Sequence, residues 1–370
     1  MEIKVKISGT GHYLPGKPVP LAALDDYLGP VMGAPTRVQR WYERIKTLMP
    51  ELLDITHYYF AINPITGEFT EDNISMSVKA ALRALKEAGI SADEIDFIAY
   101  GSAHQDQMPT ASVRIQESLG IERCAEVSIH ANCTSAYKAL MIAYDGIRLG
   151  RYKKALVLSS SMSSSELRSS YYNMSLATKE SLFLRYFLSD GAGAVLLEAD
   201  TNNHKNGLYL EHCYNESLGG TKPSAMGNKR PAYFMNPKEE YEKGFHHLNQ
   251  MFNDNLSKLF NEDDGTVFYK GLKRMMTLYP INLKDIRFFQ VNFPSKHIAD
   301  MIIEECQGLG IPQETLYTKI STMGYAGPPM VFLCLDKILR EEKLYKNDII
   351  ISFVTEVSKF MQAGYICKFY

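Results

Sequence analysis

Apolar positions recur along this chain with two spacings, and their alternation predicts its architecture. Between Asn73 and Ala88 the period is helical: Val78, Ala81, Leu82 and Leu85 share a face, Asn73 or Ser75 stands where a cap belongs, and Gly89 ends the run. Residues 95–100 form a short apolar run that predicts a strand, and 111–119 return to a helical period closed by Gly120. Residues 127–130 predict a strand that stops at a small-residue turn, with a helix pattern from there to about Gly150. Residues 154–159 predict a strand running into six serines within 159–165, a tract whose composition reads as a flexible loop. Residues 188–198 are a glycine-bearing turn feeding a buried strand. At the N-terminus residues 4–8 predict a strand broken by Gly9-Thr10-Gly11.

The same order of elements then returns. Ile281 and Ile286-Arg287-Phe288 echo Ile90 and Ile95-Asp96-Phe97. The turn Tyr325-Ala326-Gly327-Pro328-Pro329, a helix through Ile338 and an apolar run at 348–353 echo the turn, helix and strand that follow Cys133. A repeat in the order of elements implies a duplicated unit. Helices alternating with apolar strands imply mostly parallel sheets buried on both faces. Two such halves are expected to meet face to face, with reactive groups at the strand–helix corners near the seam.

Composition narrows the partners. With 370 residues, 45% hydrophobic, 22% charged and a net charge of −2, the chain has a large core and no electrostatic reason to bind nucleic acid or an anionic membrane. No apolar run approaches the roughly 20 residues of a membrane-spanning helix. The six cysteines form no CxxC pair and no zinc-spaced cluster, so a reducing, cytoplasmic setting and no metal are expected.

Among those cysteines Cys133 stands apart, at the corner Asn132-Cys133-Thr134-Ser135 between strand and helix. Unpaired amides and the positive end of a helix dipole favour thiolate over thiol, which makes Cys133 the candidate nucleophile. The plain alternative is a small buried apolar side chain.

Five segments in order give the chain a resemblance. Ile7 through Pro15, Pro109 through Ile121, the Asn132–Ser135 corner, Ser189-Asp190-Gly191-Ala192-Gly193-Ala194, and Tyr233 through Glu239 are together similar to the thiolase superfamily, most closely the β-ketoacyl-acyl-carrier-protein synthase III group. The resemblance implies an α/β fold of two duplicated βαβ-rich halves, 1–200 and 201–370, whose central mixed sheets sandwich helices in five αβαβα layers. It further implies a homodimer, or a heterodimer with another ketosynthase, in which Met108 or a neighbour reaches the partner's pocket. The substrate it implies is an acyl-CoA or acyl-carrier-protein thioester, with no permanently bound cofactor.

In that group a cysteine takes an acyl group from a thioester, and a His and an Asn assist decarboxylative condensation. Here Asn292 falls where the His belongs and Tyr325 where the Asn belongs, while the usual Gly-Gly-Gly turn reads Val357-Ser358-Lys359. Two donors remain, an amide N–H and a phenolic O–H, and the backbone N–H groups of Cys133 and near Ser358 are candidates for an oxyanion hole. A group that shuttles protons near neutral pH is missing. His130 is expected to point away, and His104 sits in a loop with no assigned role. His297, five beyond Asn292, is the one a small register change would bring in. It joins Trp41 and Arg40 (or Arg44) as candidates for the donor-binding region. Arg151, Lys153 and Lys154 form a small basic patch that suits an acidic carrier protein, although a solvated helix end is the stronger reading. The expected activity is acyl transfer or condensation through Cys133. The alternatives are a pocket-forming partner subunit of a heterodimeric ketosynthase, and an ester- or amide-forming acyltransferase.

Overall fold

A ten-stranded sheet carries the chain. The computed structural model describes residues 3–104, 108–201, 206–230, 236–244, 248–293 and 295–370. Five strands come first: β1 (Lys4–Tyr13), β2 (Phe97–Ser102), β3 (Ala125–His130), β4 (Lys154–Met162) and β5 (Asp190–Asp200). The second set is β6 (Leu208–Ser217), β7 (Ile286–Gln290), β8 (Leu316–Tyr317), β9 (Ile349–Glu356) and β10 (Met361–Phe369). Their order is β8-β7-β9-β10-β6-β1-β5-β4-β2-β3. Read outward from the centre, each half repeats the other. β2 lies parallel to β3 and β4, as β7 does to β8 and β9, and the remaining neighbours are antiparallel. The halves join where β1 meets β6 through Val5↔Leu210, Lys6↔Tyr209 and Ile7↔Leu208. The expected duplication is therefore present, as one continuous sheet rather than two separate ones.

Among the described residues, these helices pack on or beside the sheet: α1 (Asn73–Ala88), α2 (Ala111–Ser118), α3 (Ser135–Arg148), α4 (Val267–Leu278), α5 (Lys296–Gly308) and α6 (Met330–Glu341). α1 covers β1, β4 and β5 on one outer face, with α2 against α1, β2 and β3; α4 covers β9 and β10 on the other, with α5 against α4. Between the two halves lie α3 and α6, each touching strands of both. This central position explains why the first half of α6 is apolar all round. Met330 through Leu335 are all buried, a pattern expected of a helix with a sheet on either side. Its one buried charge, Asp336, is answered by Arg340 Nε at 2.9 Å, Thr10 Oγ1 at 2.7 Å and the His12 ring, which together hold its carboxyl down at about 2.

Three sequence expectations need correction. β1 does not break at Gly9-Thr10-Gly11 but runs on to Tyr13. A Cβ at Gly9 would lie 2.2 Å from the Ala84 carbonyl oxygen, and one at Gly11 2.2 Å from that of Ala80, so these glycines let α1 press against the strand. The serines 159–161 are not loop but the buried end of β4, with Ser160 Oγ bonded to the Asn73 carbonyl oxygen at 3.1 Å. α1 spans the predicted residues, yet its cap is Asp72, which accepts the Ser75 N–H at 2.7 Å. Its buried face runs through Ile74, Ala80, Ala81, Ala84 and Leu85, leaving Leu82 54% exposed. Tyr233, Phe234 and Met235 of the mid-chain motif lie outside the described residues, as do His246 and His247.

Candidate active site

The parallel strands of both halves end at one place. Just beyond or within the carboxyl ends of β2, β3, β4, β7 and β9 lie His104, Cys133, Ser163, Asn292 and Val357, and all five line one cavity of about 250 Å³. Ligands of α/β sheets bind at such strand ends. Much of the remaining wall is apolar: Phe183, Phe187, Met251, Leu256, Phe260 and Phe293.

Cys133 lies between β3 and α3, half-buried and open to the cavity. Its Sγ sits 3.3 Å from the Tyr325 hydroxyl. Tyr325 is carried in by the turn after a short helix, Ile320–Met323, and fixed by its carbonyl accepting the Ser189 N–H at 3.0 Å. Burial and the neighbouring sulfur raise its phenol well above the usual range, so it stays a neutral donor.

The helix end does not poise a thiolate as expected. Glu356, at the end of β9, accepts the Thr134 N–H at 2.9 Å and the Thr134 hydroxyl at 2.5 Å. A carboxylate thus already answers the leading end of α3. Burial first, and the Glu356 charge second, push the Cys133 thiol up to about 12. At rest the sulfur is protonated. Replacing Glu356 by Gln keeps an acceptor for Thr134 and removes the charge. The thiol midpoint is therefore expected to fall, by about one unit, with about a tenfold rise in Cys133 alkylation by iodoacetamide at pH 8. An unchanged alkylation profile would leave burial as the sole cause.

The other predicted residues divide. Asn292 lines the cavity, its Oδ1 accepting from Cys334 Sγ at 3.3 Å, which leaves its N–H donors for the interior. Ser358 lies in the turn after β9 and donates to Glu356 Oε1 rather than lining the cavity. His297 stands exposed in the first turn of α5; its neighbours Ser295 and Ile298 line the cavity, while the helical rotation turns His297 outward. Trp41 packs on Phe183 with ring centroids 6.3 Å apart, one ring removed from the cavity, and Arg40 is exposed. His130 turns away as expected, with Nε2 3.0 Å from the Ala103 carbonyl oxygen. Lys154 of the basic patch is held by Glu94 and by Glu198 at 3.6 Å.

Sequence reasoning missed two groups. Glu356 had no local signal, because its contact with Thr134 spans 222 residues. His104 gave only a loop position, and spacing within a loop does not say which way a side chain faces. Among the described residues no group of three His, Cys, Asp or Glu side chains is placed to hold a metal ion, and all six cysteines are free.

Comparison with known proteins matches this arrangement. The family model for 3-oxoacyl-[acyl-carrier-protein] synthase III matches residues 127–216, which span the cysteine corner, α3, β4 and β5. The β-ketoacyl-[acyl-carrier-protein] synthase III of Nostoc sp. is 24% identical over 293 residues, 76% of this chain and 79% of its own length. The chain is similar to the synthase III group of the thiolase superfamily. In three dimensions this synthase III-like chain is similar to a tetronic acid condensing enzyme, with a TM-score of 0.77, 18% identity, and 98% and 99% of the two chains covered. It is similar also to the synthase III of Aquifex aeolicus, with a TM-score of 0.74, 18% identity and the same coverage. Those likenesses agree with the five-layer thiolase-like fold. No helix among the described residues is long and apolar enough to cross a membrane.

Proposed function

We propose that this synthase III-like chain is a ketosynthase-type acyltransferase in which Cys133 takes an acyl group from a CoA or carrier-protein thioester. The group is then condensed with, or handed to, an acceptor. The observation that carries this reading is the Cys133 sulfur on the wall of a cavity with a large apolar share, with the Tyr325 O–H 3.3 Å away. In the acylation step Cys133 Sγ attacks the thioester carbonyl carbon, the bond to the departing sulfur breaks, and the Cys133 proton ends on the departing thiol. The apolar walls suit the acyl chain. The Asn292 amide and the Tyr325 hydroxyl are the donors available to an oxygen that gains charge. The names of the curated relatives support condensation as the family's business.

A second reading has its own support: a protonated, buried sulfur beside a carboxylate suits a subunit that only lends pocket walls to an active partner. Intact mass spectrometry after incubation with dodecanoyl-CoA and an acyl-carrier-protein thioester separates the two. One acyl mass on the wild-type chain, absent from Cys133→Ala, is the expected result. No adduct with any thioester would favour the pocket-lending subunit. Consumption of malonyl thioester by the acylated chain would assign condensation, and release of the acyl group to an alcohol or amine would assign simple transfer.

For assembly, we propose a dimer through the edge strand β3, whose outer side no strand among the described residues pairs. Met108 and Val113, 85% and 38% exposed, stand beside it. Native mass spectrometry of the same sample reads this directly, and a monomer at micromolar concentration would overturn it.

A further inference from the structure

One histidine of the cavity has no task in the account above. His104 follows β2 by two residues, and its own N–H is anchored on Ser102 Oγ at 3.0 Å. That serine in turn donates to the Ser160 carbonyl oxygen at 2.8 Å. The side chain lines the same cavity as Cys133. Its Nε2 is 4.0 Å from Glu166 Oε1, and its Nδ1 is buried with no hydrogen-bond partner among the described residues. A buried nitrogen left unpaired is costly and is tolerated where a site uses it. Glu166 is itself positioned: Asn249 Nδ2 donates to its other oxygen at 2.7 Å, and its carbonyl accepts from the Tyr172 hydroxyl at 2.9 Å. The histidine, the carboxylate and the amide come from three separate parts of the chain and meet only at this cavity.

The remaining polar groups of the site are poor proton carriers. The Glu356 carboxylate is engaged by the Thr134 N–H, the Thr134 hydroxyl and the Ser358 hydroxyl. The Asn292 amide does not titrate, and the Tyr325 phenol keeps its proton. Acylation of a protonated cysteine needs somewhere for its proton to rest before the departing thiolate takes it.

We propose that His104, supported by Glu166, is the proton carrier of the cavity: it accepts the proton lost by Cys133 on attack and delivers it to the departing thiolate. The proposal rests on the acyl-transfer reading. The step balances: the Cys133 S–acyl bond forms, the thioester C–S bond breaks, and one proton passes from Cys133 through His104 to the leaving sulfur. Glu166 stabilises the imidazolium between the two transfers. The titratable groups around His104 are Glu166 on α-helical residues 164–167, Asp190 at the start of β5, whose carboxyl feels the His104 charge, His130 on the Ala103 carbonyl next door, and Cys133 across the cavity.

The test is the pre-steady-state rate of Cys133 acylation by dodecanoyl-CoA from pH 5.5 to 9.5, read by intact mass. The wild-type rate is expected to rise with pH through one inflection and then level. His104→Gln is expected to lose that inflection and about 100-fold in rate at pH 7, recovering toward pH 9.5 as thiolate forms unaided. Glu166→Gln, which leaves the imidazole in place, is expected to move the inflection to lower pH, because the imidazolium loses its anion. A His104→Gln profile that keeps the wild-type inflection and rate would overturn the proposal, as would an unmoved inflection in Glu166→Gln. Iodoacetamide alkylation of Cys133, followed by peptide mapping, needs no thioester. It is expected to be about tenfold slower in His104→Gln than in wild type at pH 7, and equal rates would also overturn the proposal. A wild-type chain that alkylates with this dependence yet forms no acyl adduct would remove the acyl-transfer reading, and with it the delivery step, while leaving His104 as the acceptor of the Cys133 proton.

Discussion

Gly101→Ala is expected to destabilise the chain by about 3 kcal/mol and to dismantle the cysteine corner. A Cβ on Gly101, inside β2, would lie 2.3 Å from the Ser135 carbonyl oxygen, 2.5 Å from its carbon and 3.0 Å from the Ala136 nitrogen. These are backbone atoms of the first turn of α3 and cannot rotate aside, so the helix itself must shift. Overpacking of this kind costs about 1–3 kcal/mol, and the rigid neighbours place this case at the upper end. Cys133 stands two residues before that turn and would move with it, away from the Tyr325 hydroxyl. Thermal melting checks the first part and Cys133 acylation the second. Gly220→Ala, where a Cβ meets nothing within 4 Å, is the control and should melt like wild type. A Gly101→Ala chain with wild-type melting and acylation would show that α3 has freedom to yield.

Tyr325→Phe is expected to slow Cys133 acylation by roughly 10–150-fold with little change in melting. The ring and the backbone bridge to Leu188 are kept; only the O–H 3.3 Å from the sulfur is lost. A hydrogen bond to a charged group contributes about 1.5–3 kcal/mol, and that range converts to the stated factor when the bond is made to a sulfur gaining negative charge. The same loss should raise the thiol midpoint further, since the Tyr325 bond is one of the few influences holding it down. Single-turnover acylation and iodoacetamide titration together test this. An unaltered rate in Tyr325→Phe would mean that the hydroxyl merely fills space.

The sequence carried the outline of the fold for a physical reason: helical and strand periods are local. The run at 73–88 could be placed from its own letters, and the repeated order of elements disclosed the duplication. Where the reading failed, distant contacts decided. Gly9 and Gly11 look like breakers until α1 is seen pressing on them, and Ser159 to Ser161 look like loop until the hydroxyls are seen to have buried partners. At the site, the Asn132–Ser135 corner announced Cys133, and the echo of the two halves placed Tyr325 near it. The state of the sulfur was not legible. It depends on Glu356, which reaches Thr134 across 222 residues, and on burial by walls drawn from both halves. His104 was passed over because its meaning lies in Glu166 and Asn249, neither near it in sequence.

The contact between Cys133 and Tyr325 joins residues 192 positions apart. A ribosome adding about 5–20 residues per second takes roughly 10–40 s to travel that distance. Throughout that interval the newborn thiol has emerged without the hydroxyl, the sheet half or the walls that later enclose it. This sulfur is thus expected to react with peroxide more readily before folding than after, because burial and the Glu356 charge raise its thiol only in the finished fold.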